Sequence, residues 1–273
     1  MGLVIWPWGM CAAPQAGSVT SGEGLSGAWR HGSAQPHSFQ VVVGRVSSSM
    51  ETIFQVSKEC VTVRSTGSGR AIVYLHVYTG DGGSVWEKCL ELGCRDFTLV
   101  SIGNLDWSDD MSPWECPPTF KGDDACAGHA DRQLELLIKR MMPRIEARLS
   151  ASPAYSAIAG YSLAGLFATW SVLNTNVFSR MASVSGSLWF PGFSHHVAQH
   201  EPAKELERAY FSLGSTEART RNNFVRGVEK DTRSIVESFS SRGVTVTFEE
   251  NPGNHFKEPA LRTARGIRWI LDA

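Results

Sequence analysis

The sequence predicts an α/β fold: a mostly parallel central sheet, antiparallel strands at its N-terminal edge, and helices on both faces. Two patterns predict it. From residue 71 onward, short apolar runs of strand length alternate with stretches of helical periodicity, the signature of successive βαβ units. Before residue 71, β-branched segments follow one another with no helix between them, which suits antiparallel pairing. The 273 residues, 42% hydrophobic and 19% charged, suffice for one substantial domain, and the chain carries no internal repeat and no second core pattern.

Residues 1–37 are read as an irregular N-terminal segment and 38–273 as the single domain. The opening MGLVIWPWGMCAA is apolar with small residues at its end, faintly like a signal peptide, but it lacks a basic n-region and Pro7 interrupts it, so it reads as a poorly structured leader or an element packed on the domain. Residues 13–37 are rich in Gly, Ser, Ala and Pro without periodicity, the composition of loop.

SFQVVVGRV and TIFQVSKECVTVRS supply the two antiparallel strands. AIVYLHVY (71–78) is a continuous apolar run, as expected of a strand covered on both faces. SVWEKCLELG follows as a helix stopped by Gly93, and FTLVSIG (97–103) is the next buried strand. After a long irregular loop, Leu134, Leu137, Ile138, Met141, Met142 and Ile145 recur at helical spacing, with Pro143 placed to kink or divide that helix. YSAIAG is a short strand and SLAGLFATWSVLN a helix; RMASVSGSLW and AYFSLG (209–214) are further strands. An amphipathic helix over 219–241 turns Phe224, Val228, Ile235, Val236 and Phe239 inward and ends at Gly243. VTVTFEE is the last strand, and PALRTARGIRWILDA the closing helix.

Charge and cysteine content exclude several classes. Basic and acidic side chains number 26 and 27, for a net charge of -1. That balance gives no footprint for nucleic acid, which calls for clustered Lys and Arg. No apolar run approaches the roughly 20 residues of a membrane helix. The six cysteines include no C-x-x-C and no Cys/His spacing suited to zinc. They read as reduced thiols of a cytoplasmic protein, with Cys116 and Cys126 as a pair that oxidising conditions could join. No metal is expected: Asp106, Asp109 and Asp110 lack the spacing of a calcium loop.

Chemistry concentrates at AGYSLAGLF (159–167). A serine in G-x-S-x-G sits on a strained turn between strand and helix, where its hydroxyl is presented to substrate. Here Ala164 occupies the fifth position and Gly165 follows. GLSGA (24–28) matches the relaxed pattern equally well, but no strand feeds Ser26 and no helix follows it. Ser162 lies between YSAIAG and SLAGLFATW and is the candidate nucleophile. A serine hydroxyl needs a base, and the base needs an acid to fix its tautomer. In chain order the acid belongs in the loop after AYFSLG, where Glu217 stands. The histidine belongs after the last strand, where NPGNHF places His255. Asp231, mid-helix, is the rival acid; His195 and His196 are rival bases without a strand to position them. The Leu163 amide, at a helix N-terminus, is one expected oxyanion donor. The other falls to the amide of Val77 or Tyr78, in a turn that reads His76-Val77-Tyr78-Thr79-Gly80 instead of the usual His-Gly. His76 itself reads as structural.

On GYSLAGLF, SGSLWF (185–190), GSTE (214–217), PGNHF (252–256) and the loop LDWSDDMSPW (105–114), the chain resembles the esterase family of α/β-hydrolases that contains esterase D and the enterochelin esterases. The similarity spans about residues 70–270. It implies the α/β-hydrolase fold, a nucleophile at Ser162, a base at His255, Glu217 as the least secure of the three, and no cofactor. It implies hydrolysis of carboxylic esters, thioesters or lactones, with a small-molecule ester as the partner. Trp189, Trp107 and Trp114 are expected either to wall the substrate pocket or to pin the long loop to the core. Asp106, Asp109 and Asp110 on that loop favour a neutral or cationic substrate by repulsion of anions. The rival class is a hydrolase-fold protein used for binding or assembly without catalysis, since a fold alone does not fix function.

Overall fold

The structure, a computed structural model, describes residues 42–46, 49–67, 70–119, 122, 125–149 and 151–272. The segment 1–37, with Ser26 and the apolar N-terminal stretch, lies outside them.

Nine strands form one mixed sheet. Three come first: β1 (Val42–Val46), β2 (Ser49–Val56) and β3 (Glu59–Ser65). They pair antiparallel in sequence, and β3 continues antiparallel onto β5 (Phe97–Gly103). The remaining strands are all parallel: β4 (Ala71–His76), β8 (Tyr155–Tyr161), β9 (Arg180–Val184), β10 (Arg208–Gly214) and β11 (Thr245–Asn251). The order across the sheet is β1-β2-β3-β5-β4-β8-β9-β10-β11. A two-residue pair, β6 (Glu115–Cys116) with β7 (Cys126–Ala127), stands apart in the long loop after β5.

The N-terminal edge therefore holds three strands where two were expected. TIFQVSKECVTVRS folds back on itself at Ser57-Lys58, with Val56 opposite Glu59 and Ser57 at φ 60°. A two-residue connection with positive φ matches the right-handed twist of a hairpin, and neither residue carries the Gly or Asn that would have marked it.

Strand register separates the core into two layers. Ile72 and Tyr74 of β4 pack on one face of the sheet with Val100, Ile102, Ile158 and Phe211. Ala71, Val73 and Leu75 pack on the other with Leu99, Ala157, Ala159 and Tyr210. This is the strand period of two, covered on both sides. The first layer is closed by α3 (Ala130–Leu136), α4 (Met142–Glu146), α5 (Leu163–Asn174), α6 (Phe193–Gln199) and α7 (Val228–Ser241). The second is closed by α1 (Gly83–Glu91) and α8 (Pro259–Leu271). The remaining helix, α2 (Trp107–Asp110), is a single turn in the long loop.

One helix is divided where its proline was expected to kink or divide it, and one starts later than expected. Pro143 divides the predicted long helix: a π-helical stretch over Leu137–Met141 separates α3 from α4, whose first turn holds the proline. Proline has no N–H to donate and its ring crowds the preceding turn, so the ladder widens there. The 219–241 helix starts at Val228, after a 3₁₀ turn at Val225–Gly227. Phe224 is consequently exposed rather than inward, while Val228, Ile235 and Phe239 are buried as expected.

Candidate active site

The site gathers at the C-terminal ends of the parallel strands, where successive loops converge. Ser162 follows β8 directly and serves as the N-cap of α5, with φ 60° and ψ -124°. That conformation is rare and strained for any residue with a Cβ, and in a nucleophile elbow it lifts the hydroxyl clear of the turn. The close approach falls on the neighbouring glycines. A Cβ on Gly160 would lie 2.1 Å from the Ala164 carbonyl oxygen, and one on Gly165 would lie 2.9 Å from the Gly186 Cα. Position 164 makes no such demand: the Ala164 methyl is buried without needing glycine's freedom. The non-consensus residue is thus compatible with the elbow. Backbone bonds hold the turn on both sides, from the Ser162 N–H to the Val184 carbonyl (3.1 Å) and from the Ser187 N–H to the Ser162 carbonyl (3.0 Å).

The hydroxyl of Ser162 donates to Nε2 of His255 over 3.1 Å. Nδ1–H of the same ring donates to Oε2 of Glu217 over 2.9 Å. The carboxylate acceptor fixes the tautomer, leaving Nε2 with the lone pair that faces the hydroxyl. His255 is held by the loop after β11, Glu217 by the turn after β10, and Ser162 by β8. Three strands of one half of the sheet, β8, β10 and β11, contribute one group each.

The other oxygen of Glu217 is also engaged. Oε1 accepts the Gly214 N–H (2.6 Å), the Ser185 hydroxyl (2.7 Å) and Nη1 of Arg262 (3.4 Å). Burial pushes this carboxyl up; the hydrogen bond and charge of His255, the Ser185 hydroxyl and the Gly214 amide outweigh it and hold the group below the ordinary carboxylate value.

Two amides flank Ser162. Leu163 is the first residue of α5, so its N–H has no partner within the helix. On the next strand His76 is in register with Gly160, which brings the residues just beyond both strand ends side by side. Of the two amides left open by sequence, Val77 is excluded. Its N–H donates to the Ile102 carbonyl at 2.9 Å, continuing the β4–β5 ladder by one residue. Tyr78 is the first residue past the ladder and supplies the candidate second donor.

A family model described as "Putative esterase" matches residues 80–259. The chain belongs to that family. Among curated relatives, the "Uncharacterized protein YbbA" of Bacillus subtilis (strain 168) is 23% identical over 212 residues, covering 71% of this chain and 84% of its own. Among solved structures, an IroE-like serine hydrolase from Shewanella oneidensis superposes with a TM-score of 0.62 at 16% identity, covering 85% of this chain and 79% of its own. The siderophore hydrolase EstB from Aspergillus nidulans superposes with a TM-score of 0.59 at 19% identity, covering 84% and 97%. At these identities the structural likenesses carry the α/β-hydrolase fold; the family match carries ester hydrolysis as the class of activity.

The rival residues of this esterase lie elsewhere. Asp231 sits in the first turn of α7. His195 and His196 are on α6, where His196 packs against Trp114 and stacks on His200. His76 is fully enclosed: burial pushes its pKa down to about 3, and its Nε2 lies 3.3 Å from the Gln133 side-chain nitrogen. It is a neutral core imidazole.

The three tryptophans separate. Trp114 is a pin: its Nε1–H donates to the Pro191 carbonyl (3.0 Å), and its ring packs against Phe190 and Phe193. Trp107 packs edge-on against Tyr78, with ring centroids 5.3 Å apart, and Tyr78 is 70% exposed. Trp189 is half-buried in the turn after β9. The loop aspartates are consumed in holding their own loop. Lys58 pairs with Asp106 and with Asp110 (3.2 Å), and Asp109 accepts the Ala127 N–H (2.7 Å). Lys58 offsets one of the three carboxylate charges, so the loop stays net acidic and the preference for a neutral or cationic substrate remains an expectation, set against a weaker field than three free aspartates would give. Cys116 and Cys126 are direct register partners across β6 and β7.

Sequence reasoning missed Ser185, Arg262, Ser187 and Tyr161. Ser187 brings its hydroxyl within 3.5 Å of that of Ser162. Tyr161 donates its hydroxyl to the His255 carbonyl over 2.6 Å. Ser185 and Ser187 sit in SGSLWF, a stretch legible only as family likeness. Arg262 left a plainer trace: it lies four and eight residues before Gly266 and Ile270, on the face of α8 that is buried.

Proposed function

We propose that this family member is a serine carboxylic-ester hydrolase working through Ser162, His255 and Glu217 and an acyl-enzyme intermediate. The observation that carries the reading is the unbroken chain from the Ser162 hydroxyl through His255 to Glu217, at 3.1 and 2.9 Å, on a residue held at φ 60°. Ser162 Oγ attacks the ester carbonyl carbon while its proton passes to His255 Nε2. The oxyanion accepts hydrogen bonds from the Leu163 and Tyr78 amides, at a helix N-terminus that favours negative charge. Collapse breaks the carbonyl–alkoxy bond, and His255 returns the proton to the departing alcohol. Water then attacks the acyl-serine with His255 as base, releasing the acid and restoring Ser162. Glu217 stays ionised throughout and stabilises the imidazolium of each step. No step calls for a metal or an organic cofactor.

The substrate is proposed to be a small ester or lactone, in keeping with the esterase family match. The open setting supports this: the His255 side chain is 30% exposed, so the acyl carbon reaches Ser162 from solvent. A cytoplasmic setting is part of the proposal, supported by the buried thiols of Cys89 and Cys94; fractionation of cells expressing the tagged chain tests it. A fluorophosphonate probe followed by peptide mass spectrometry tests the chemistry. Labelling at Ser162, lost in Ser162→Ala and His255→Ala together with turnover of p-nitrophenyl acetate, is expected. Folded protein that takes no label would favour the non-catalytic binding class instead.

A further inference from the structure

We infer that Arg262 is a positioning residue for this reaction: it locks one oxygen of Glu217 and the loop that carries His255, so that the other oxygen is aimed at the imidazole. The inference rests on the proposed esterase site.

Three contacts carry it. Arg262 is 2% exposed on α8. Its Nη1 lies 3.4 Å from Glu217 Oε1 and 3.4 Å from the Ser185 hydroxyl. Its Nη2 donates to the Pro252 carbonyl over 2.8 Å, three residues before His255. One planar guanidinium thus spans the acid and the base loop, a geometry that lysine's single ammonium cannot reproduce. Space is arranged for it: a Cβ on Gly214 would lie 2.9 Å from Glu217 Oε1, 3.0 Å from Arg262 Nη1 and 2.4 Å from the Gly253 carbonyl oxygen. A salt bridge with both side chains 3% exposed is an expensive arrangement where apolar packing would be at least as stable. Its retention beside a reacting pair points to geometry and charge.

The charged and titratable groups facing Glu217 come from three elements. His255 approaches from the loop after β11, Arg262 from α8, and Tyr161 from the end of β8. Arg265, on the next turn of α8, is directed to Glu249 and Asn251. Arg262 is therefore the permanent cation at the carboxylate. Without it, the buried Glu217 carboxyl keeps the His255, Ser185 and Gly214 contacts that hold it low but loses its fixed cation and its register on Oε1, which weakens its support of the imidazolium. Activity would then fail on the acid side at a higher pH than in the native enzyme.

The test compares Arg262→Met and Arg262→Lys with the native chain, folding being checked by circular dichroism, on p-nitrophenyl acetate across pH. For Arg262→Met, kcat is expected to fall about 10-fold or more with KM within about twofold, and the acidic limb to move to higher pH. Arg262→Lys keeps the charge and is expected to return the limb to its native position while kcat recovers only in part. A Met variant whose kcat and pH profile superimpose on the native ones overturns the inference. Where Arg262→Met does not fold, Glu217→Gln with Arg262→Met removes both charges together. Its kcat is expected to fall less than about 10-fold below Glu217→Gln alone, the residual loss reporting the Pro252 contact, because most of the arginine's effect passes through the acid; a further loss well beyond about 10-fold overturns the inference. Turnover that survives Ser162→Ala would instead sink the esterase site itself, so the two failures are distinguishable.

Discussion

Gly160→Ala probes how tightly the elbow is built. The added methyl would meet the Ala164 carbonyl oxygen at 2.1 Å, its carbon at 2.2 Å and the Gly165 nitrogen at 2.7 Å. All three are backbone atoms, so no side chain can rotate away. Nor can the first turn of α5 retreat freely, because Gly165 already packs where its own Cβ would come within 2.9 Å of Gly186 Cα and 3.0 Å of the Ser183 hydroxyl. Ordinary contact is about 3.5 Å, so strand and helix must separate by on the order of 1 Å even after sharing the strain. Overpacking of this kind costs about 1–3 kcal/mol, and a backbone obstacle places it at the upper end, about 2–3 kcal/mol. For a domain of this size that is a fall in Tm of roughly 5–10 °C. The same displacement moves Ser162 relative to His255 and Leu163, and misplacement by 1 Å lowers reaction rates about 100-fold. Thermal unfolding and the rate of fluorophosphonate labelling read the two effects separately. A variant that melts within about 2 °C of the native chain and labels at the native rate would refute the close-packed elbow. Ala164→Gly is the matching control: labelling is expected unchanged, with about 1 kcal/mol lost to helix propensity.

Three further outcomes follow from the site. Glu217→Gln places an amide N–H against either His255 Nδ1–H or the three donors on the other oxygen, so kcat is expected to fall by about 10²–10⁴; a loss below threefold would mean that the acid is dispensable. Folding stability is expected to decline in acid on account of Glu217. Its carboxyl is held below the ordinary value of 4.5 in the folded chain, so the stabilisation is complete above that value and is lost as pH falls through the lower folded pKa. Urea midpoints between pH 6 and the acid limit (roughly pH 3) should drop less steeply in Glu217→Gln, and identical slopes would contradict the assignment. Trp114→Phe keeps the ring but removes the bond to Pro191, with an expected loss of about 0.5–1.5 kcal/mol and faster proteolysis within residues 105–129; unchanged cleavage there would show that the tryptophan does not pin the loop.

What sequence made legible and what it hid divides along a physical line. Strand–helix alternation is a one-dimensional signal, and so is the chain order of a serine, an acid and a histidine at strand ends. Both can be read from spacing, and Ser162, Glu217 and His255 were. The hairpin at Ser57-Lys58 escaped because its positive φ is carried by residues that do not advertise it. The start of α7 escaped because the apolar Phe224 fits the helical period and yet lies on a turn; its N–H is instead bound by the Asn222 side chain at 2.9 Å. The choice between Val77 and Tyr78 depended on how far the β4–β5 ladder runs, which is a property of pairing and invisible along one strand. Arg262 belongs to a third kind. Its position on the buried face of α8 was visible as a charge among Gly266, Ile267 and Ile270, an inconsistency between local composition and burial. Such inconsistencies persist where a partner compensates them, and here the partner is Glu217, the proposed acid. A charged residue on the apolar stripe of a terminal helix is therefore better read as a pointer to a buried counter-charge than as noise in the periodicity, and in this chain it leads from α8 straight to Glu217.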